Sequence, residues 1–233
     1  IYLLDPRTFQ ASSFGLARMG THRRRFLRES LENLRTQLES IGLDLLILNA
    51  KPEELFPKLL KSIPNAKLFF SHEYAFEETQ IEAALAYELS SAQWEGFWTG
   101  TLMDPENLPF TLENVPNGFS SFRNKVEKYA SIPEPVPTPN KAIGFQKHDW
   151  GEDLFALSVF AERENTDQQL QEIETMGLAP INPVADLADE LDTLKTKWEQ
   201  SFKGGEEAGL ARLDYYLWQT DLVATYKKTR NGL

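Results

Sequence analysis

The sequence predicts an α/β fold: a parallel sheet covered by helices, then a long connector, then the start of an all-helical segment. Three observations carry this. Short apolar runs alternate with amphipathic stretches from the first residue to about residue 130, the pattern of strands joined by crossover helices. Residues 131–140, SIPEPVPTPN, hold four prolines in ten positions, a composition that favours an extended linker. From Phe202 onward no strand pattern returns, and apolar residues recur at helical spacing.

In order, Ile1-Tyr2-Leu3-Leu4 reads as a strand already under way, broken by Asp5-Pro6-Arg7. A loop rich in small residues runs to Gly20, and Thr21 is placed to cap a helix. Leu27, Leu31, Leu34, Leu38 and Ile41 form one apolar face, and Gly42 stands where a C′ residue closes a helix. Arg23, Arg24, Arg25 and Arg28 crowd the start of that helix, where the dipole disfavours cations. They read as a solvated face with Arg25–Glu29 and Arg28–Glu32 pairs; an anion contact is the alternative. Leu43–Leu48 is a nearly continuous apolar run, as in a strand covered on both faces. Pro52 with Glu53 and Glu54 opens a second helix. Lys67–Ser71 is a strand, Glu77–Leu89 a helix with Ile81, Leu85 and Leu89 inward, and Trp94–Trp98 a strand. Ligands of such sheets sit at the carboxyl ends of strands. Those ends are Asp5 onward, Asn49-Ala50, Ser71-His72-Glu73 and Thr99-Gly100-Thr101.

In the tail, Gly204-Gly205 break the chain and Glu206-Glu207 suit the positive end of a helix dipole. Leu210, Leu213, Leu217 and Val223 predict an amphipathic helix with a buried face. Asp221 is placed to begin another turn, and Asn231-Gly232 is a stop signal. Asp186–Trp198 has the pattern of a polar amphipathic helix.

The chain has 233 residues, 41% of them apolar, and a net charge of −11. So acidic a surface argues against nucleic-acid binding by the chain as a whole, though not against a local basic patch. There is no cysteine, which excludes a thiolate metal site, a cysteine nucleophile and a disulfide framework. No run approaches the ~20 apolar residues a membrane-spanning helix needs. No secretory pattern is found, and the compartment stays unread. P-loop and GxGxxG motifs are absent, and the three histidines have no metal-ligand spacing.

The tail resembles the photolyase/cryptochrome family, most closely its DASH-type cryptochromes. The match runs through Gly204-Gly205-Glu206, Ala208-Gly209-Leu210, Arg212-Leu213, Tyr216, Trp218, Asp221, Tyr226-Lys227 and Thr229-Arg230-Asn231-Gly232. The first half is similar too: Asp5-Pro6-Arg7 with Phe9, Ser13-Phe14-Gly15, Phe26-Leu27 with Glu29-Ser30, Lys51–Glu54, Trp98–Leu102, Asn107–Phe110 and Phe122-Arg123. The resemblance implies a Rossmann-like antenna domain over 1–130, lacking its first strand, a connector over 131–201, and the opening of an FAD-binding helical domain over 202–233. A piece cut at both ends of a longer protein is expected, inactive alone.

The resemblance further implies a blue-light flavoprotein with FAD and a 5,10-methenyltetrahydrofolate antenna. The complete protein would be a deoxyribodipyrimidine photo-lyase that repairs cyclobutane pyrimidine dimers, preferentially in single-stranded DNA. It implies Glu73 as a folate contact, Tyr226 against FAD and Arg230 toward the DNA backbone. The chemistry is compatible. A carboxylate accepts paired hydrogen bonds from an amino-pterin edge, and a guanidinium binds phosphate bidentately. Spaced by four, Tyr226 and Arg230 share a helix face. The bland alternatives are a surface acid, a core tyrosine and a solvated arginine. A monomer with no metal and no membrane contact is expected. Trp94, Trp98, Trp150, Trp198 and Trp218 are not assigned to electron transfer. A photoreceptor signalling through a protein partner and a non-photoactive α/β binding module remain the alternatives in function.

Overall fold

The computed structural model describes residues 1–63, 65–89, 93–101, 103–140 and 202–229. They fall into two compact units, Ile1–Ala50 with Pro139–Leu233, and Lys51–Thr138. Each is taken by itself.

In the first unit β1 (Tyr2–Leu3) pairs in parallel with β2 (Ile47–Leu48), Tyr2 opposite Ile47 and Leu3 opposite Leu48. The predicted strand over 43–48 is thus shorter than its apolar run. The ladder is limited by β1, whose amides reach only from Leu46 O, at Tyr2, to Leu48 O, at Leu4. The rest of the run still goes inward: Leu45 and Ile47 are buried with Leu4, Phe9 and Leu31. Asp5 accepts from the Arg7 amide at 2.9 Å and caps a one-turn helix, α1 (Pro6–Phe9), where the sequence suggested only a break.

Helix α2 (Thr21–Ser40) is the spine of this unit. Its N-cap is Gly20, not Thr21; the Gly20 carbonyl accepts the first helical bond, from the Arg24 amide at 3.1 Å. Leu31 is buried, Leu27 and Leu38 pack against the core, and Leu34 lies at the edge, exposed. The helix stops as expected. Gly42 has φ +85°, its amide bonds Glu39 O at 3.0 Å, and the Leu43 amide bonds Leu38 O at 2.9 Å. That crossed pair is a Schellman closure, which requires the left-handed residue.

In the second unit β3 (Leu68–Ser71) runs parallel to β4 (Trp94–Phe97), with Phe70 opposite Gly96. Helices α3 (Pro52–Ser62) and α4 (Phe76–Glu88) lie on this pair. Leu60, Leu85 and Leu89 form the core, with Leu68, Ile81 and Trp94 packed against it. Two 3₁₀ turns, Pro105–Asn107 and Leu112–Asn114, lead to α5 (Phe119–Tyr129). Residues 131–139 carry neither helix nor strand. Among the described residues the two strand pairs are both parallel, and a single isolated bridge, Ala11 to Ala17, is antiparallel. This is the α/β architecture the sequence predicts.

The tail forms α6 (Glu206–Asp214), a π-helical turn over Tyr215–Gln219 and α7 (Leu222–Thr229). Here the expectation of a buried apolar face fails. Leu210 is 58% exposed, Leu213 52% and Val223 47%. Leu210 and Leu213 precede the π turn and lie open because, among the described residues, α6 meets α2 through polar side chains; the π turn puts only the residues after it, Val223 among them, out of phase with α6. The suggested helix over 186–198, Trp150 and Trp198 lie outside the described residues.

Candidate functional site

Two places in the molecule gather polar and aromatic groups, and the first of them holds Glu73. The first is the carboxyl end of β3. Trp94 stacks on Phe70 with ring centroids 4.8 Å apart and planes 12° apart, and Phe70 meets His72 edge-on at 5.1 Å. Gly96 makes this possible. A Cβ there would fall 2.5 Å from His72 Cε1 and 2.7 Å from Phe70 Cζ. Next along the chain, Glu73 is exposed, which a ligand contact and a plain surface acid share. Tyr74 packs against Trp98, ring centroids 4.5 Å apart and planes tilted by 39°, and lies over Gly100. Trp98 is held in turn, its Nε1 donating to Thr101 Oγ1 at 2.6 Å.

Glu82, on α4, organises this end, a role that sequence reasoning missed. Its Oε2 lies 2.8 Å from His72 Nδ1, and its Oε1 accepts from the Glu73 amide at 2.9 Å. One carboxylate therefore fixes both the imidazole and the turn that presents Glu73. Glu82→Ala is expected to lower stability by about 1 kcal/mol, by removing two hydrogen bonds at a partly exposed turn whose amide and imidazole turn to water instead. Glu82→Gln, which keeps an acceptor, should recover part of that in chemical denaturation.

The second place is the outer face of α2. The Gly204 amide donates to Glu29 Oε2 at 2.6 Å, and the Gly205 amide to Ser30 Oγ at 3.1 Å. Asn33 Nδ2 donates to Glu207 Oε2 at 2.9 Å, and Arg25 Nη2 to Phe202 O at 3.2 Å. Side chains of one helix thus satisfy the amide donors that open another. The backbone comes so close that a Cβ on Gly204 would sit 2.8 Å from Ser30 Oγ and 2.9 Å from Glu29 Cβ, and closer still to Phe26 O. Gly205, at φ +105°, is the N-cap of α6.

The arginines divide differently from a simple solvated face. Arg28 pairs with Glu32 at 2.6 Å, as expected. Arg25 lies 3.7 Å from Glu29 and also reaches Phe202. Arg24 is wholly buried, its guanidinium 5.2 Å from the Phe9 ring centroid and its Nε donating to Met19 O at 3.0 Å. Burial holds it below the usual guanidinium range. It ties the 10–19 loop to α2, so it is not an anion contact open to solvent.

Of the predicted site residues, Tyr226 is on α7 and 57% exposed, with Lys227 and Lys228 following it. Arg230 lies outside the described residues. Glu73 and Tyr226 belong to different units. Among the described residues no cluster of three or more metal-ligating side chains is present, and no helix is long and apolar enough to cross a membrane.

A parallel α/β layer, with polar and aromatic groups at a strand's carboxyl end and a helical segment docked on α2, defines a class of protein. The profile of the DNA photolyase family matches residues 1–140, and the chain belongs to the photolyase/cryptochrome family. Within it the likeness is to the DASH type. Cryptochrome DASH of Gloeobacter violaceus is 35% identical over all of this chain and 41% of its own length; that of Xenopus laevis is 32% identical, over all of this chain and 40% of its own. The crystal structure of a Synechocystis cryptochrome superposes with a TM-score of 0.71 at 30% identity, covering 99% of this chain and 42% of that one. The chain therefore spans about two fifths of the length of these relatives.

Proposed function

We propose that the chain is the antenna lobe, over 1–130, the connector, over 131–201, and the first flavin-domain helices, over 202–233, of a DASH-type light-dependent flavoprotein. The complete protein repairs cyclobutane pyrimidine dimers, preferentially in single-stranded DNA, where a lesion is flipped out at least cost. Reduced FAD, when bound, supplies the electron for that reaction, and a bound methenyltetrahydrofolate supplies absorbed light. The chain's own residues bind and orient.

What supports this is the likeness to DASH cryptochromes over the whole chain, together with the docking of the tail on α2. The residues fit the groups. Glu73 offers an exposed carboxylate on a turn whose amide Glu82 holds, and two carboxylate oxygens can accept from the amino and N–H groups of a pterin. The adjoining Tyr74–Trp98 pair offers a partly exposed ring face for stacking. Tyr226 projects from α7 with more than half its surface open, which suits a phenol packed on a phosphate–ribose chain. Arg230, four residues on, is assigned to the DNA backbone as a phosphate contact.

The complete protein tests the reading. Its purified spectrum should show flavin and a near-UV folate band, and blue light should restore dimer-containing single-stranded DNA. Glu73→Gln is expected to weaken folate binding about tenfold or more, as one acceptor oxygen becomes a donor facing donors. Normal folate content in that variant sinks the antenna assignment. Flavin photochemistry without repair would turn the reading to a photoreceptor.

A further inference from the structure

We propose that Glu29 and Ser30 of α2 are positioning residues for the flavin pocket, setting the place of Tyr226 by gripping the amides of Gly204 and Gly205. This deepens the reading that α6 and α7 line that pocket, and rests on it.

The geometry fixes more than a point of attachment. Gly204 and Gly205 have no side chains, so this turn can be registered only through its backbone. Two successive amides meet acceptors on two successive residues of α2, at 2.6 and 3.1 Å. Two such bonds together set both the height of the turn along α2 and its rotation. Asn33 then holds Glu207 at 2.9 Å, which aims the first turn of α6 along α2, and Arg25 holds the Phe202 carbonyl on the near side. From Arg25 to Asn33 the grip spans two turns, about 12 Å of helix. A slip by one residue would break all four contacts. The bond from Gly204 is also charge-assisted, which shortens and strengthens it.

The position is transmitted through a stiff joint. Gln219 Nε2 donates to Asp214 Oδ2, and Thr220 Oγ1 donates to Tyr215 O at 2.8 Å and accepts from the Leu222 amide at 3.4 Å. The π turn between α6 and α7 is thus braced by its own side chains. Moving the start of α6 moves α7, and Tyr226 with it. Ser30 has a second bond, from its Oγ to Phe26 O at 2.7 Å, which holds the hydroxyl in place to accept from Gly205.

The test uses the complete, flavin-loaded protein and three variants: Glu29→Ala with Ser30→Ala, Ser30→Ala alone, and Glu29→Gln. Three quantities are read: amide exchange at Gly204 and Gly205, the visible circular dichroism of bound flavin, and flavin affinity. The double variant should exchange faster at both glycines, bind flavin about tenfold more weakly, and give an altered dichroic band. Ser30→Ala alone, a mild change on a helix, should go part of the way. Glu29→Gln, which keeps a neutral acceptor for Gly204 but loses the charge assistance, should fall between the parent and the double variant. Faster exchange at the glycines with unchanged affinity and dichroism overturns the positioning role while leaving the flavin reading intact. A parent protein that takes up no flavin overturns that reading itself, and the proposal with it.

Discussion

Gly204→Ala is expected to pull the tail off α2 without unfolding the layer beneath it. The new methyl would enter the space of the Phe26 carbonyl, with Ser30 Oγ at 2.8 Å and Glu29 Cβ at 2.9 Å. The carbonyl belongs to the backbone of a well-packed helix and cannot give way as a side-chain end would. The turn must move instead, and both amide bonds to Glu29 and Ser30 lengthen together. Overpacking and two weakened, partly buried bonds amount to on the order of 2–3 kcal/mol. Amide exchange at Gly204, Gly205 and Glu207 should rise by the corresponding factor, while the α2 amides below Leu31 keep their protection. Gly209→Ala is the control. It sits inside α6 with no atom within 4 Å of a new Cβ, so it should be neutral or stabilise the helix by about 0.5–1 kcal/mol. Equal effects from the two substitutions would mean that helix propensity, not close approach, governs the tail.

The same helix shows what the sequence could and could not convey. Its extent and its end at Gly42 were readable, because period 3.6 and a glycine stop are local properties. Its inner face was readable through Leu27, Leu31 and Leu38, while Leu34 was misread because four leucines at helical spacing look alike until something covers them. Arg24 was misplaced for a related reason: its acceptors are the carbonyls of Phe9, at the end of the one-turn α1, and Met19, in the loop after it, and neither stretch has a periodic pattern. Glu29 was read as the partner of Arg25 one turn away, a local pairing, when its shorter bond goes 175 residues along the chain to Gly204. The double glycine was the one local sign of that contact, since adjacent glycines mark a backbone that must be approached closely. Glu82 gave no sign at all. Its two partners, His72 and Glu73, come from a different element, and only folding sets them across from it. The tail was read as an amphipathic helix from its leucines, yet period alone does not say whether a second layer is there to bury them, nor that a π turn divides them.

Leu31→Ala is expected to have the other large effect, and of the opposite kind. Leu31 is 2% exposed and meets Leu4, Phe9, Leu45 and Ile47, the residues that join α2 to the β1–β2 pair. Removing its branched end leaves a cavity between a helix and a two-residue ladder that has few bonds of its own to hold it. A cost on the order of 2–5 kcal/mol follows. Leu34→Ala, at an exposed edge of the same helix, should cost well under that. The comparison separates the two faces of α2. If Gly204→Ala acts on the outer face alone, it should raise exchange in the tail with little change in the denaturation midpoint of the α/β layer. Leu31→Ala should lower that midpoint and loosen the tail as well, because the acceptors Glu29, Ser30 and Asn33 hold their positions only while the inner face keeps α2 seated. A tail that stayed docked in Leu31→Ala under conditions where the β1–β2 pair had lost its protection would show that the grip on Gly204 does not depend on the core beneath it.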